Sequence, residues 1–245
     1  MKRYLYILAL LFIAANTSAQ KSYTYIGGGL NGSAFNFDRF DAFVDNYNTS
    51  RTGANGSVAL TKKMDKINFL SGYNFVWGNV NSETGLHVEF RYAMNKANTR
   101  AEAGARFREI DFIYNQGSVG MGYTMINSGI MDLIVGATAE FGAMNFHTRT
   151  DSIATVKFND LSTGNKIYLQ SNITFGFVGV GARAFYNFQW FSADVDKLDE
   201  TVNTNTFQQS DKTLNYSSGF GLEASVFIMF GKKKMNTSNR VIRKS

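Results

Sequence analysis

The sequence predicts an all-β fold: an eight-stranded antiparallel up-and-down transmembrane β-barrel with a short helix in its first outer loop. Three observations lead there. Alternation of apolar and polar residues with period two runs through most of the chain. Proline is absent from all 245 residues. A residue that cannot donate to a strand ladder is thus missing from a chain made mostly of strands. Finally, the lysines stand at the ends of the predicted strands or between them, at Lys62, Lys63, Lys66, Lys96, Lys157, Lys166, Lys197, Lys212 and Lys232 to Lys234.

Taken in order, the chain begins "MKRYLYILALLFIAANTSAQ", with Lys2 and Arg3 before an apolar run and small residues at Thr17, Ser18 and Ala19. This is the layout of a secretory signal peptide, expected over residues 1–19. Its apolar run is shorter than the ~20 residues of a spanning helix. Residues 20–231 form the expected barrel and residues 232–245 a basic tail. The net charge of +6 is misleading: Lys2 and Arg3 supply +2 and the tail +6, which leaves −2 on the body. A nucleic-acid-binding surface needs its positive charge on the folded domain, so that class is excluded. With no cysteine, neither disulfides nor thiolate chemistry contributes.

Strands are expected at roughly residues 22–31, 67–78, 84–96, 105–125, 131–147, 167–183, 187–197 and 213–230. In the third, Leu86, Val88, Phe90, Tyr92 and Met94 share one face. In the fifth, Met131, Leu133, Val135, Ala137, Ala139 and Phe141 do so, and in the eighth Phe220, Leu222, Ala224, Val226, Ile228 and Phe230. The fourth changes parity, with Ile110, Phe112 and Tyr114 even but Val119, Met121 and Tyr123 odd, which predicts a bulge near residues 115–117. The connections alternate in length. Residues 32–66, 97–104, 148–166 and 198–212 are the long outer ones, and "NVNSE", "INSGI" and a turn near "RAFYN" the short inner ones. Within the first long connection Phe40, Phe43, Val44 and Tyr47 fall on one helical face, with Asp38 as the N-cap. Such a helix packs on the barrel rim, or else forms a plug or a docking surface.

Alternation alone does not say which face meets which solvent. A soluble barrel shows its polar face to water, where lysine is common; a membrane barrel turns its apolar face to lipid, where Lys or Arg at mid-depth costs ~2–4 kcal/mol. The placement of lysine therefore favours lipid. Aromatic residues near strand ends (Tyr23, Tyr25, Trp77, Tyr123, Phe188, Trp190 and Phe230) fit interfacial girdles.

The exported start, the eight alternating segments, "REIDFIYNQGSVGMGYTM" and the closing aromatic strand resemble the small outer-membrane β-barrel family of Bacteroidetes-type bacteria, similar in architecture to OmpA/OmpX-type barrels. The resemblance implies residence in the outer membrane, contact with its lipid, and insertion by the barrel-assembly machinery, which reads a terminal aromatic residue. Here 15 residues follow Phe230, so that signal is internal. The expected state is a monomer, with the partner of the outer loops unidentified.

The candidate site is a lumen charge network of Glu89, Arg91, Glu109, Asp111, Glu140 and Glu223, with Arg91 pairing to Glu109 or Asp111. Arg106 and Arg108 are expected above the hydrocarbon. No catalytic, cofactor-binding or metal-binding residue is assigned. The two histidines lack a tight acidic cluster, and "GGGLNG" at 27–32 is a strand end with no helix to follow. The favoured function is a non-enzymatic barrel, structural or binding through its outer loops. The alternatives are a narrow channel for protons or small solutes, and a lipid A-modifying enzyme using His147 near Asp151 and Ser152.

Overall fold

The computed structural model describes residues 22–53, 58–128, 130–151, 156–191, 195–202 and 215–231. The signal segment, the basic tail and Ser152 lie outside them. Eight strands close into one antiparallel barrel in chain order. They are β1 (Ser22–Ala34), β2 (Phe69–Asn81), β3 (Leu86–Ala103), β4 (Arg106–Asn127), β5 (Met131–Thr150), β6 (Val156–Phe175), β7 (Val178–Phe191) and β8 (Asn215–Gly231), with helices α1 (Asp38–Ser50) and α2 (Val195–Val202). The seam joins β1 to β8 through a continuous register from Tyr23 opposite Gly231 to Ser33 opposite Gly221, so no strand edge is left open there.

The period-two pattern explains how each strand faces its two solvents. On β8, Phe220, Leu222, Val226, Ile228 and Phe230 are exposed while Gly221, Glu223 and Phe227 are buried. The same outward stripe runs through Leu86, Phe90 and Tyr92 on β3, Val135 and Phe141 on β5, Ile167, Leu169 and Ile173 on β6, and Val180 on β7. A continuous apolar girdle of this kind is stable only against lipid. The chain is a membrane-spanning, outer-membrane-type β-barrel. Trp77, Tyr123, Phe188, Trp190 and Phe230 face outward as a girdle should, but Tyr23 and Tyr25 are fully buried and point into the lumen.

Leu169 sits midway along this belt, so Leu169→Arg is expected to cost ~2–4 kcal/mol of barrel stability. Asn165→Arg, on the same face of β6 but near the outer edge of the belt, should cost ~0–1 kcal/mol. Urea titration of the two variants refolded into lipid vesicles separates them; equal midpoints would mean that this face does not meet hydrocarbon.

Several elements depart from the sequence expectation. The β6–β7 turn is Gly176–Phe177, with Gly176 at φ 67°, not the "RAFYN" region, which lies inside β7. Residues 156–166, expected as loop, extend β6, and the turn after β3 shrinks to Gly104 and Ala105, Gly104 having φ 64°. The expected end of β7 is instead the start of α2. No bulge interrupts residues 115–117: the β3–β4 register runs unbroken from Leu86–Tyr123 to Ala103–Arg106, and the irregularity falls between Thr124 and Ile126. Lysine is not confined to strand ends either. Lys96 lies within β3, facing out near the outer edge of the belt, and Lys166 lies within β6, facing the lumen.

The strands are unequal in a way that shapes the molecule. β3 to β6 continue past the belt as a wall, whereas β1 and β2 stop at Ala34 and Phe69 and β7 ends at Phe191. The free edge of the β3 extension is covered by residues 61–65. Thr61 N–H donates to Glu102 O at 2.8 Å, Glu102 N–H to Lys62 O at 2.9 Å, and the Thr99 hydroxyl to Asp65 O at 2.7 Å.

Candidate functional site: the filled lumen and its outer cap

The outer mouth is closed by α1 and α2. Helix α1 buries Phe40, Phe43, Val44 and Tyr47 on one face, as the spacing predicts. Phe37, not Asp38, is its N-cap, with no side-chain cap bond; Asp38 and Asp41 stand in the first turn, where their charge suits the helix dipole. The apolar face packs on inward residues of the wall, Ala101, Ile110, Phe112, Tyr114, Met144 and Phe146, together with Val195, Leu198 and Val202 of α2. Phe146 anchors the packing, its ring centroid 5.8 Å from Phe40 and 5.1 Å from Phe112. Polar ties fix the cap. Asn48 exchanges two 2.9 Å bonds with the Met64 backbone, and Arg51 donates to Val202 O at 2.8 Å while lying 3.7 Å over the Tyr47 ring. The helix is therefore a plug inside the wall, not only a rim element.

On α1, Asp41 is half-buried. Burial pushes its carboxyl above the usual carboxylate range; Lys66 opposes this, and Asp45 and Asp38 add to it. A raised folded pKa means that the folded cap holds a proton more readily than the unfolded one. The ionised form thus opposes folding, and the penalty disappears as pH falls below the folded pKa. Asp41→Asn is expected to slow proteolysis between Arg39 and Lys66 at neutral pH and to lose that advantage in acid. An advantage unchanged across pH would rule out ionisation as its cause.

Below the cap the lumen is packed in layers. Nearest the termini, Tyr23, Tyr25, Val76, Val80, Ile134, Tyr168, Phe185 and Phe227 form an aromatic-rich floor. His87, fully buried, bridges two of them, with Nε2 2.7 Å from the Tyr25 hydroxyl and Nδ1 3.1 Å from that of Tyr168. Tyr23 donates to Asp132. Above the floor, Arg183 pairs with Glu89 and donates through Nε to Gln170 Oε1 at 2.9 Å. Arg91 reaches Glu89 at 3.3 Å and Glu223 at 2.9 Å. Two guanidinium groups and two carboxylates thus balance in one buried layer. A second group lies on the β4–β6 side: Lys166 Nζ is 2.7 Å from Glu140 Oε1 and donates to Gln116 Oε1 at 2.9 Å, and Gln116 donates to Glu140 at 2.6 Å.

Of the six sequence candidates, Glu89, Arg91, Glu140 and Glu223 lie in the lumen, in two separate groups. Glu109 and Asp111 do not join them. The phase of β4 never slips, so these odd positions face away from the barrel axis beyond the belt, where Glu109 binds Arg149 at 2.7 Å. Arg91 accordingly pairs with Glu89 and Glu223. Arg108 reaches the Thr148 hydroxyl at 3.0 Å on the wall above the belt, and Arg106 is exposed at its tip. Sequence reasoning missed Arg183 and Lys166: the first fell in a misplaced turn, the second in a supposed loop. The available signal was parity, since Arg183 shares the odd face of Gly181 and Phe185, and Lys166 the even face of Tyr168 and Gln170. His147 lies opposite Asp111 on the outer face of the wall. Among the described residues no three His, Asp or Glu side chains converge as metal ligands.

No protein-family model matches the chain, and no curated protein matches its sequence. Among solved structures it is similar to Ail, the attachment invasion locus protein of Yersinia pestis, in complex with the heparin analogue sucrose octasulfate. That match has a TM-score of 0.47 and 12% identity, over 86% of this chain and 99% of that one. It is also similar to the outer membrane protein OprG from Pseudomonas aeruginosa (TM-score 0.42, 8% identity, 87% and 98% covered). A third is the outer membrane protease OmpT from Escherichia coli (TM-score 0.36, 7% identity, 87% and 97% covered). The architecture of this chain rests on its own ladder register.

Proposed function

We propose that this protein is a non-enzymatic, monomeric barrel of the outer membrane whose work is done by the wall and cap at its outer end. One observation carries the reading: the lumen is filled from an aromatic floor to an apolar plug, which leaves the projecting β3–β6 wall and the outer face of α1 and α2 as the surface available for interaction. A filled interior is usual for eight strands. It disfavours solute passage. Membrane lipid is the constant partner and the barrel-assembly machinery a transient one. The test combines two measurements. In fractionated cells the protein should reside in the outer membrane and shift on gels only after boiling. In planar bilayers it should give no discrete conductance steps. Steps that disappear in an Arg91 or Arg183 variant would replace this reading with that of a channel.

A further inference from the structure

The side of the lumen between the ion-pair layer and the cap is lined differently from the rest. On β7, β1, β2 and β3 the inward positions at this level are Asn187, Asn31, Gly72, Asn74 and Asn95, while the Phe185 ring lies over Gly221 of β8. The ladder places them side by side. Asn31 stands opposite Glu223 on one neighbour and Gly72 on the other, and Gly72 stands opposite Asn95. Asn187 is opposite Gly219, and Ser217 follows two positions further out on β8. Arg91 and Glu223 bound this region toward the floor, Lys166 and Gln116 across the axis, and Leu70, Phe35 and Tyr114 toward the cap.

The polar groups here are buried but unmatched. Asn31, Asn74, Asn95 and Asn187 are each at least nine-tenths buried, as is Ser217. In each asparagine Oδ1 has no hydrogen-bond partner among the described residues, and neither has Ser217 Oγ. Only Asn74 uses its amide nitrogen on the chain, donating to Leu30 O at 3.2 Å. Five unmatched groups on one wall cost far more than a single accident, because a buried acceptor without a donor forfeits its hydration. Together the groups supply the two to four contacts that a bound water needs.

We propose that this region is a closed polar chamber holding a cluster of long-lived water molecules, bound to Asn31, Asn74, Asn95, Asn187 and Ser217 and shut off by the cap. Water suits the site because each molecule both donates and accepts. It can satisfy the amides whichever way they are turned, and hydrate Arg91 and Glu223 without breaking their pair. A charged occupant would be left without a counter-charge, since the fixed ions already balance.

The wild-type barrel in detergent micelles provides the test, with selective observation of water-to-amide cross-relaxation at the four asparagine side chains. The expected result is a cross-peak at each amide with the sign of water resident for longer than about a nanosecond, and density peaks within hydrogen-bonding distance of the same groups in a high-resolution crystal structure. Fast-exchanging water would overturn closure by the cap. Absent cross-peaks, with the asparagines turned to pair with one another in the crystal, would overturn the chamber itself.

Discussion

Replacing Arg183 with methionine is expected to destabilise the barrel by about 3–5 kcal/mol, the cost of leaving buried charge uncompensated. Arg183 pairs with Glu89, approaches Glu223 at 3.8 Å, donates to Gln170 and lies 3.8 Å over the Tyr168 ring. Its removal leaves Arg91 to serve both carboxylates, with no second cation in that layer among the described residues. The wild-type layer need not itself be a large stabiliser, because desolvation offsets much of its Coulomb attraction. What the variant measures is the imbalance. Urea titration in lipid vesicles, read by the heat-dependent gel shift, gives the loss. Adding Glu223→Gln to Arg183→Met should recover part of it by restoring neutrality. A single-variant cost below about 1 kcal/mol, the range of solvent-screened pairs, would mean that the lumen admits bulk water and that the closed-lumen description is wrong.

The fold was legible in the sequence wherever one strand face stayed apolar along its length. β8 is the clearest case, since its even residues meet lipid from Phe220 to Phe230. The sequence misled at β4, for a physical reason. Within the membrane the outward face is apolar, but above it the wall has water outside and the apolar plug inside. The dress of the two faces therefore inverts near Asn115 while the backbone phase runs on: Ile110, Phe112 and Tyr114 are buried inward, and Val119, Met121 and Tyr123 exposed outward. An inversion of solvent imitates a bulge. The β6–β7 turn was missed for the opposite reason. Phe175 and Phe177 flank Gly176 and remain exposed at the inner edge, so the turn carries no polar signature. Only the change of outward parity, from Ile173 and Phe175 to Val178 and Val180, marked it. Arg183 was lost with that turn, and Lys166 with the loop expected over residues 148–166. Glu89, Arg91, Glu140 and Glu223 could be found because their strands had the right phase.

Phe40→Ala is expected to release the cap without melting the barrel. Phe40 is buried among Phe37, Phe43 and Phe146, and truncating a phenylalanine in such a cluster costs about 3–5 kcal/mol. The loss falls on a unit held to the barrel by side-chain packing and a few polar ties, whereas the strands are bound by a continuous ladder around the closed barrel. Units of that kind open below the global unfolding free energy. Cleavage at Arg39, Arg51 or Lys62 by trypsin should therefore accelerate by at least about 10²-fold, as a 3 kcal/mol shift in an opening equilibrium requires. The urea midpoint of the heat-dependent shift should barely move. Ala42→Ser, on the exposed side of α1, is the control and should change neither reading. If the midpoint instead falls together with protease resistance, cap and barrel are one cooperative unit. The wall residues Ile110, Phe112 and Phe146 would then be held in place by the helix as much as the helix is by them.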